Sequence, residues 1–313
     1  MSLSGQPTDA VRLARAYLSH ATESGRVAVV ALVDEVGPVE AANRVRSGDA
    51  ALTDITSDTR SYPEGLVRRQ LENFMAAGGR LVIPEDEEWP VGPLMALSGT
   101  EAGVAHGGGP LALWVCGSYR LADVLGNAVA VVGSRAATGY GEHVASEFGY
   151  GLAEQGVTVI SGAAYGIDGA AHRGAMQAQG VTLAVLACGA DVAYPAGHQG
   201  LLSRIAREGM IVSEYPPGQV PARHRFLARN RIIAALSAGT VVVEAGRRSG
   251  AKHTAKVAVA LERSLMAVPG PITSVTSLGC HELMRRRIAT PVSSVAEILE
   301  SVPQLDASDA RHA

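Results

Sequence analysis

Lysine is almost missing from this 313-residue chain; Lys252 and Lys256 are the only two, so positive charge rests on arginine. Aromatic residues are sparse at 4%, so any stacking platform must be built from a few rings. Three cysteines, Cys116, Cys188 and Cys280, stand far apart and form no C-x-x-C pair. That spacing argues against a zinc site or a disulfide framework and favours buried reduced thiols. No apolar run approaches the ~18 residues that span a bilayer. The first residues lack a basic start followed by an apolar stretch, so no signal peptide is expected. The expectation is a cytoplasmic protein without membrane association.

What is present describes a globular protein, with 47% apolar and 18% charged residues. The length allows a sizeable core and two domains. A net charge of −3 hides an asymmetry. Residues 201–260 hold eight Arg and two Lys against Glu208, Glu214 and Glu244, a local excess of seven positive charges. Segregated charge of this kind fits a polyanion; solvated surface is the bland alternative.

Along the chain, residues 11–22, 39–46 and 65–76 have helical spacing, and 27–33 is a compact apolar run ended by Gly37-Pro38. Thr53, Asp54 and Ser57 are candidate caps. A short strand over 80–83 precedes the acidic run Glu85-Asp86-Glu87-Glu88. Gly107-Gly108-Gly109 reads as a linker. The expected division is a helical domain with its connecting segment over 1–106, an α/β domain over 107–300, and a polar tail over 301–313. In the second domain, β-branched runs at 111–115, 129–132, 157–160, 182–187, 210–213, 240–243 and 265–268 alternate with amphipathic helices at 141–155, 169–178, 200–208, 227–236 and 254–262. Continuous apolar strands separated by helices predict a parallel sheet covered on both faces. Ligands of such sheets bind beyond the carboxyl ends of the strands.

The strand-end loops carry the chemistry. Gly133-Ser134-Arg135 follows one strand; glycine lets a ligand approach the backbone, and Arg135 adds a planar charged fork suited to phosphate. The G-x-G-x-x-G dinucleotide fingerprint is missing there. Ser161-Gly162 opens the next loop as a second phosphate candidate, with Asp168 expected to cap the following helix. Arg223-His224-Arg225-Phe226, followed by Arg229 and Arg231, sets basic groups around one aromatic ring. Charge that follows a backbone while a ring stacks on a base suits single-stranded nucleic acid; a core role for Phe226 is the alternative. A last loop brings Lys252 and Thr254 to a helix N-terminus as further phosphate donors.

Several of these segments also resemble the DNA-processing protein A (DprA, or Smf) family. They are Gly133-Ser134-Arg135, Ser161-Gly-x-Ala-x-Gly-Ile-Asp168, Ser213-Glu-Tyr-Pro-Pro-Gly218, Phe226-x-x-Arg-Asn-Arg231, Val243-Glu-Ala245, Ser249-Gly250 and Ala267-Val-Pro-Gly270. The order and spacing match over residues 125–285, and the helices around Gly37-Pro38 resemble the family's small SAM-like N-terminal domain. The resemblance implies an extended Rossmann-like fold with a parallel-rich sheet, preceded by that small, mainly helical domain. It implies a homodimer that binds single-stranded DNA, protects incoming DNA and loads the RecA recombinase in natural transformation. It also implies no cofactor, no metal and no catalytic residue, with Arg135, Arg223 and Phe226 matching DNA-contacting positions. The chain departs from the pattern at Leu227, where the family usually has proline, and at Lys252 within Ser249-Gly-Ala-Lys-His-Thr-Ala255. The family's C-terminal winged helix is not expected here. The rival reading is a Rossmann-like nucleotide-phosphate hydrolase with Glu214 or Glu244 as acid or base.

Overall fold

A computed structural model describes residues 8–48, 62–98, 108–303 and 305. Thr53, Asp54, Ser57, Gly107 and most of the tail lie outside the described residues. The chain is α/β, with nine strands among the described residues that run mostly parallel. It forms two compact units that interleave in sequence: residues 1–116, 187–192 and 212–228 in the first, and 117–186, 193–211 and 229–313 in the second.

The first unit contains α1 (Asp9–Ala21), α2 (Val27–Val36), α3 (Pro38–Ser47), α4 (Glu64–Ala76), β1 (Gly79–Val82), α5 (Val91–Ser98) and β2 (Leu113–Cys116). Thr8 caps α1 by accepting from the Val11 amide, and Pro38 opens α3, where its missing N–H costs nothing. The strands pair antiparallel with Leu81 opposite Trp114. Phe74 stands edge-on to Trp114 at 5.4 Å between ring centroids, anchoring the apolar centre. The acidic run of the sequence is structural: Asp86 pairs with Arg12 at 2.7 Å, Glu85 with Arg15 at 2.7 Å, and Glu88 with Arg80 at 2.6 Å.

The second unit follows with α6 (Leu121–Leu125), β3 (Ala128–Val132), α7 (Gly139–Glu154), β4 (Thr158–Ser161), α8 (Ile167–Gln177), β5 (Thr182–Leu186) and α9 (Gln199–Glu208). β6 (Met210–Ser213) and α10 (Arg223–Ala235) have residues in both units. The chain closes with β7 (Gly239–Val242), α11 (Ala251–Ala260), β8 (Ser264–Ala267), α12 (Leu278–Arg285), β9 (Thr290–Pro291) and α13 (Val295–Glu300). β5, β4, β3, β7, β8 and β9 lie side by side in that order, and each neighbouring pair is parallel. Val129, Val131, Phe148, Leu152, Val159, Ile167 and Val241 form the core beneath them. α7 and α8 approach closely because a methyl group on Gly149 or Gly174 would meet the backbone of Ala171 or Ser146.

The order β5-β4-β3-β7-β8 is that of a doubly wound, Rossmann-like sheet: three strands run one way from β3 and the next two start on its other side. The order reverses between β3 and β7, which is where such sheets open their ligand crevice. Among the described residues no helix is long and apolar enough to cross a membrane. None of the three cysteines is paired.

The expected strands recur within a few residues, and three of the shifted helix starts change the reading of a site residue. α10 begins at Arg223 and not at 227, so the presumed basic loop is a first helical turn. Ala222 accepts from the Arg225 amide at 3.0 Å there. α11 begins at Ala251 and not at 254, which puts Lys252 and Thr254 on its opening turn. α8 begins at Ile167 with Gly166 in the capping position, so Asp168 is not the N-cap.

Candidate nucleic-acid interface

Because β4, β3, β7 and β8 are parallel neighbours, the loops that leave them lie on one edge of the second unit. The β3 loop begins with Gly133, where a side chain would run 2.5 Å from Ile167 Cγ1 and 2.9 Å from the Glu244 carbonyl. The Ser134 amide donates to that carbonyl at 2.8 Å, and the Ser134 carbonyl accepts from the Ile167 amide at 3.2 Å. Gly166, at φ +73°, lies against the carbonyls of Ser134 and Arg135. The turn is thus fixed from two sides, and Arg135 stands exposed at its tip.

Glu244 ends β7 at the switch point and is 1% exposed. Its carboxylate accepts from the Thr138 amide at 2.9 Å, the Thr138 hydroxyl at 2.6 Å and the Thr276 hydroxyl at 2.9 Å. Gly141 must be glycine because a side chain there would collide with this carboxyl group. Where other doubly wound sheets open a nucleotide crevice, the chain's own Glu244 carboxylate thus ties Thr138 to Thr276. Engaged at both oxygens, Glu244 serves as a staple between the β3 and β8 loops.

A second internal anion fills the β4 loop. The buried Asp168 carboxylate accepts amide N–H groups of Ala164, Gly133 and Gly162. Burial pushes its pKa above the usual carboxylate range, against the opposing pull of Arg229 and those three amides. Arg229 donates to the Gly162 carbonyl at 2.7 Å and also to the Val185 carbonyl. His172 lies behind them, its Nδ1 2.7 Å from the Thr182 hydroxyl. That hydroxyl gives its proton to the Val159 carbonyl, so His172 Nδ1 is the donor in the pair.

Several sequence expectations are corrected by this arrangement. Ser161 is fully buried and donates to the Val131 carbonyl at 2.6 Å, so its hydroxyl is not offered to a phosphate. Gly133 and Gly162 spend their amides on Asp168, and Gly162 is needed because a side chain would strike Arg229. Arg229, Arg231 and Thr254 are 4%, 0% and 1% exposed and face the interior instead of solvent. Lys252 sits 2.6 Å from Glu282, and this partner neutralises its charge.

Arg223, Arg225 and Phe226 belong with the first unit. Arg225 pairs with Glu23 at 3.1 Å, donates to the Val220 carbonyl at 2.8 Å and lies over the Tyr215 ring at 5.0 Å. His224 reaches the same Glu23 at 3.3 Å. Burial raises the Glu23 pKa, but the hydrogen bond and charge of Arg225, with a lesser pull from His224, outweigh it and hold the carboxyl below its usual range. Arg223 is exposed and has no ion pair among the described residues, whereas Phe226 is half-buried. Arg135, Gly133, Ser134, Ser161, Gly162, Lys252 and Thr254 lie in the second unit.

The sequence reading passed over Arg247 and Arg248. Both are exposed on the loop after β7, and neither has an ion pair among the described residues. Their signal was the doublet itself, set between Gly246 and Ser249-Gly250. Once internal anions have taken the glycine-rich cradles, the rim keeps exposed guanidinium groups, a surface for an extended anion.

Residues 80–303 match the family described as DNA recombination-mediator protein A. A relative in Mycobacterium tuberculosis H37Rv, described as a DNA processing protein DprA, is 50% identical over 97% of this chain and 79% of its own length. The DNA processing protein DprA of Streptococcus pneumoniae R6 is 43% identical over 50% of this chain and 55% of its own. The crystal structure of the Streptococcus pneumoniae DprA superposes with a TM-score of 0.75 at 28% identity, covering 94% of this chain and 98% of that one. The DNA processing protein A of Helicobacter pylori, whose structure addresses a single-stranded DNA binding mode, gives a TM-score of 0.57 at 28% identity over 63% and 88% of the two chains. With the motifs in order, residues 80–303 matched and a relative 50% identical over 97% of the chain, the chain belongs to the DNA recombination-mediator protein A (DprA/Smf) family.

Proposed function

We propose that this protein binds single-stranded DNA along the arginine-bearing rim of its second unit. In this reading it is a cytoplasmic homodimer that protects incoming strands and loads RecA recombinase onto them during natural transformation, without catalytic turnover. One observation carries the DNA reading: Arg135, Arg247 and Arg248 are exposed at an edge whose buried donors are already spent on Glu244 and Asp168. An anion that cannot enter the crevice is held from outside, by charge along its backbone. The Helicobacter pylori relative supports the choice of single strands. The RecA, dimer and transformation parts rest on the family alone.

Fluorescence anisotropy with labelled oligo-dT tests the reading. Arg135→Ala weakens binding and flattens its salt dependence by about 0.7 in log–log slope, the value for one phosphate on a single strand. Equal affinity and equal slope for wild type and variant would contradict it. RecA loading is read separately, as faster RecA ATP turnover on strands already coated with single-strand-binding protein; no acceleration would remove that part alone.

A further inference from the structure

The loop after β8 joins two properties that seldom occur together, exposure of large apolar side chains and a fixed backbone. Ile272 and Val275 are 86% and 73% exposed. The backbone beneath them is held along its length. Tyr140 donates to the Pro269 carbonyl at 2.9 Å, and His281 Nε2 meets the Gly270 carbonyl at 2.9 Å. The Ala245 amide donates to the Thr276 carbonyl at 2.7 Å, and the Thr276 hydroxyl to Glu244 at 2.9 Å. A turn closes the tip through the Ser274 amide and the Pro271 carbonyl at 3.0 Å. Pro269 and Pro271 restrict the chain further, and both apolar side chains are β-branched and stiff. Little conformational entropy is left to lose when something packs on them.

The neighbours of the tip indicate what packs there. A methyl group on Gly246 would lie 3.7 Å from the Val275 carbonyl, so the tip adjoins the segment that continues into Arg247 and Arg248. The carboxylates nearby are spent, Glu244 on threonines and Glu282 on Lys252. An apolar point beside exposed guanidinium groups fits a ligand that is anionic along one side and apolar along the other. A nucleic-acid strand with unpaired bases has that character, whereas a protein partner would have to supply acids and a matching hollow.

Resting on the single-stranded DNA reading above, we propose that Ile272 and Val275 form its base-contacting wedge. Bases pack on the two side chains while Arg247 and Arg248 hold the adjacent phosphates. Unpaired bases offer the apolar faces such a wedge needs, and apolar side chains are known to insert between bases in other proteins.

The test compares two labelled probes of equal length and charge, oligo-dT and an abasic oligonucleotide, on the full chain. For the double variant I272A/V275A, oligo-dT affinity falls about tenfold, as for loss of two modest apolar contacts, while abasic affinity is unchanged. Ile272→Trp, which enlarges the wedge, tightens oligo-dT binding and leaves abasic binding alone. An unchanged melting temperature checks that both variants fold. Equal loss on both probes, or no loss on either, overturns the wedge while leaving the DNA reading intact. Failure of the wild type to bind oligo-dT overturns both. A change in sedimentation, with oligo-dT affinity unaltered, would assign the tip to self-association and also overturn the wedge.

Discussion

Arg229 and Arg248 belong to the same basic stretch of sequence and to the same unit, yet they do opposite things. Arg229 is 4% exposed, donates to carbonyls of the β4 loop and of strand β5, and opposes the desolvation of the buried Asp168 carboxyl. Arg248 is exposed on the β7 loop with no ion pair among the described residues. One holds a glycine-rich loop together; the other leaves a charge for something outside. A count of arginines in the sequence adds the two, and only the burial of each separates them.

The comparison is broken most forcefully from the inside. Arg229→Met removes the donor to the Gly162 and Val185 carbonyls and the positive charge that opposes the desolvation of Asp168, and losing such a buried network costs about 2–4 kcal/mol. Denaturant unfolding should show that loss; a change below about 1 kcal/mol would mean that Arg229 is not structural. Pairing it with Asp168→Asn should recover part of the loss, because the carboxyl whose desolvation Arg229 opposes is then gone.

A second effect appears on acidification. His172 is buried with its pKa lowered to about 3 from 6.5, chiefly by desolvation and then by nearby His198, Arg229 and Arg173. The unfolded chain takes up a proton below 6.5 and the folded one does not until about 3. Stability contributed by the neutral ring is thus present above that window and declines as pH falls through it, by at most about 1.4 kcal/mol per pH unit. His172→Gln should flatten the fall between pH 6.5 and 4 in thermal melts; an unchanged slope would remove His172 from the account.

The smallest effect sharpens the outside of the comparison. Lys252→Ala removes a cation already paired with Glu282, so oligo-dT affinity should change less than threefold and the melting temperature should barely move. A loss as large as that for Arg248→Ala would show that the pair opens on binding.

Much of the fold was legible because its signals are local. The apolar runs of β3, β4, β5, β7 and β8 could be read directly, and their alternation with helices gave parallel pairing. β9 was missed because Thr290–Pro291 is two exposed residues with no apolar run. The starts of α10 and α11 were missed because Arg223-His224-Arg225 and Ala251-Lys252-His253 have no apolar periodicity in their first turns. The site was less legible. Gly133 and Gly162 were singled out as places where a phosphate approaches the backbone, but what approaches there is the chain itself, Ile167, Arg229 and the Asp168 carboxylate. All but the Gly162–Asp168 contact join residues dozens of positions apart. No local pattern distinguishes a cradle filled by its own aspartate from one left for a phosphate.

The central claim is that anion binding has moved from the crevice to the rim. The direct test is the salt dependence of oligo-dT binding for wild type and the double variant Arg247→Ala, Arg248→Ala. The account predicts weaker binding, a log–log slope smaller by about 1.4 for two lost phosphate contacts, and unfolding free energy unchanged within about 0.5 kcal/mol. Coincident slopes and affinities for the two proteins would contradict it.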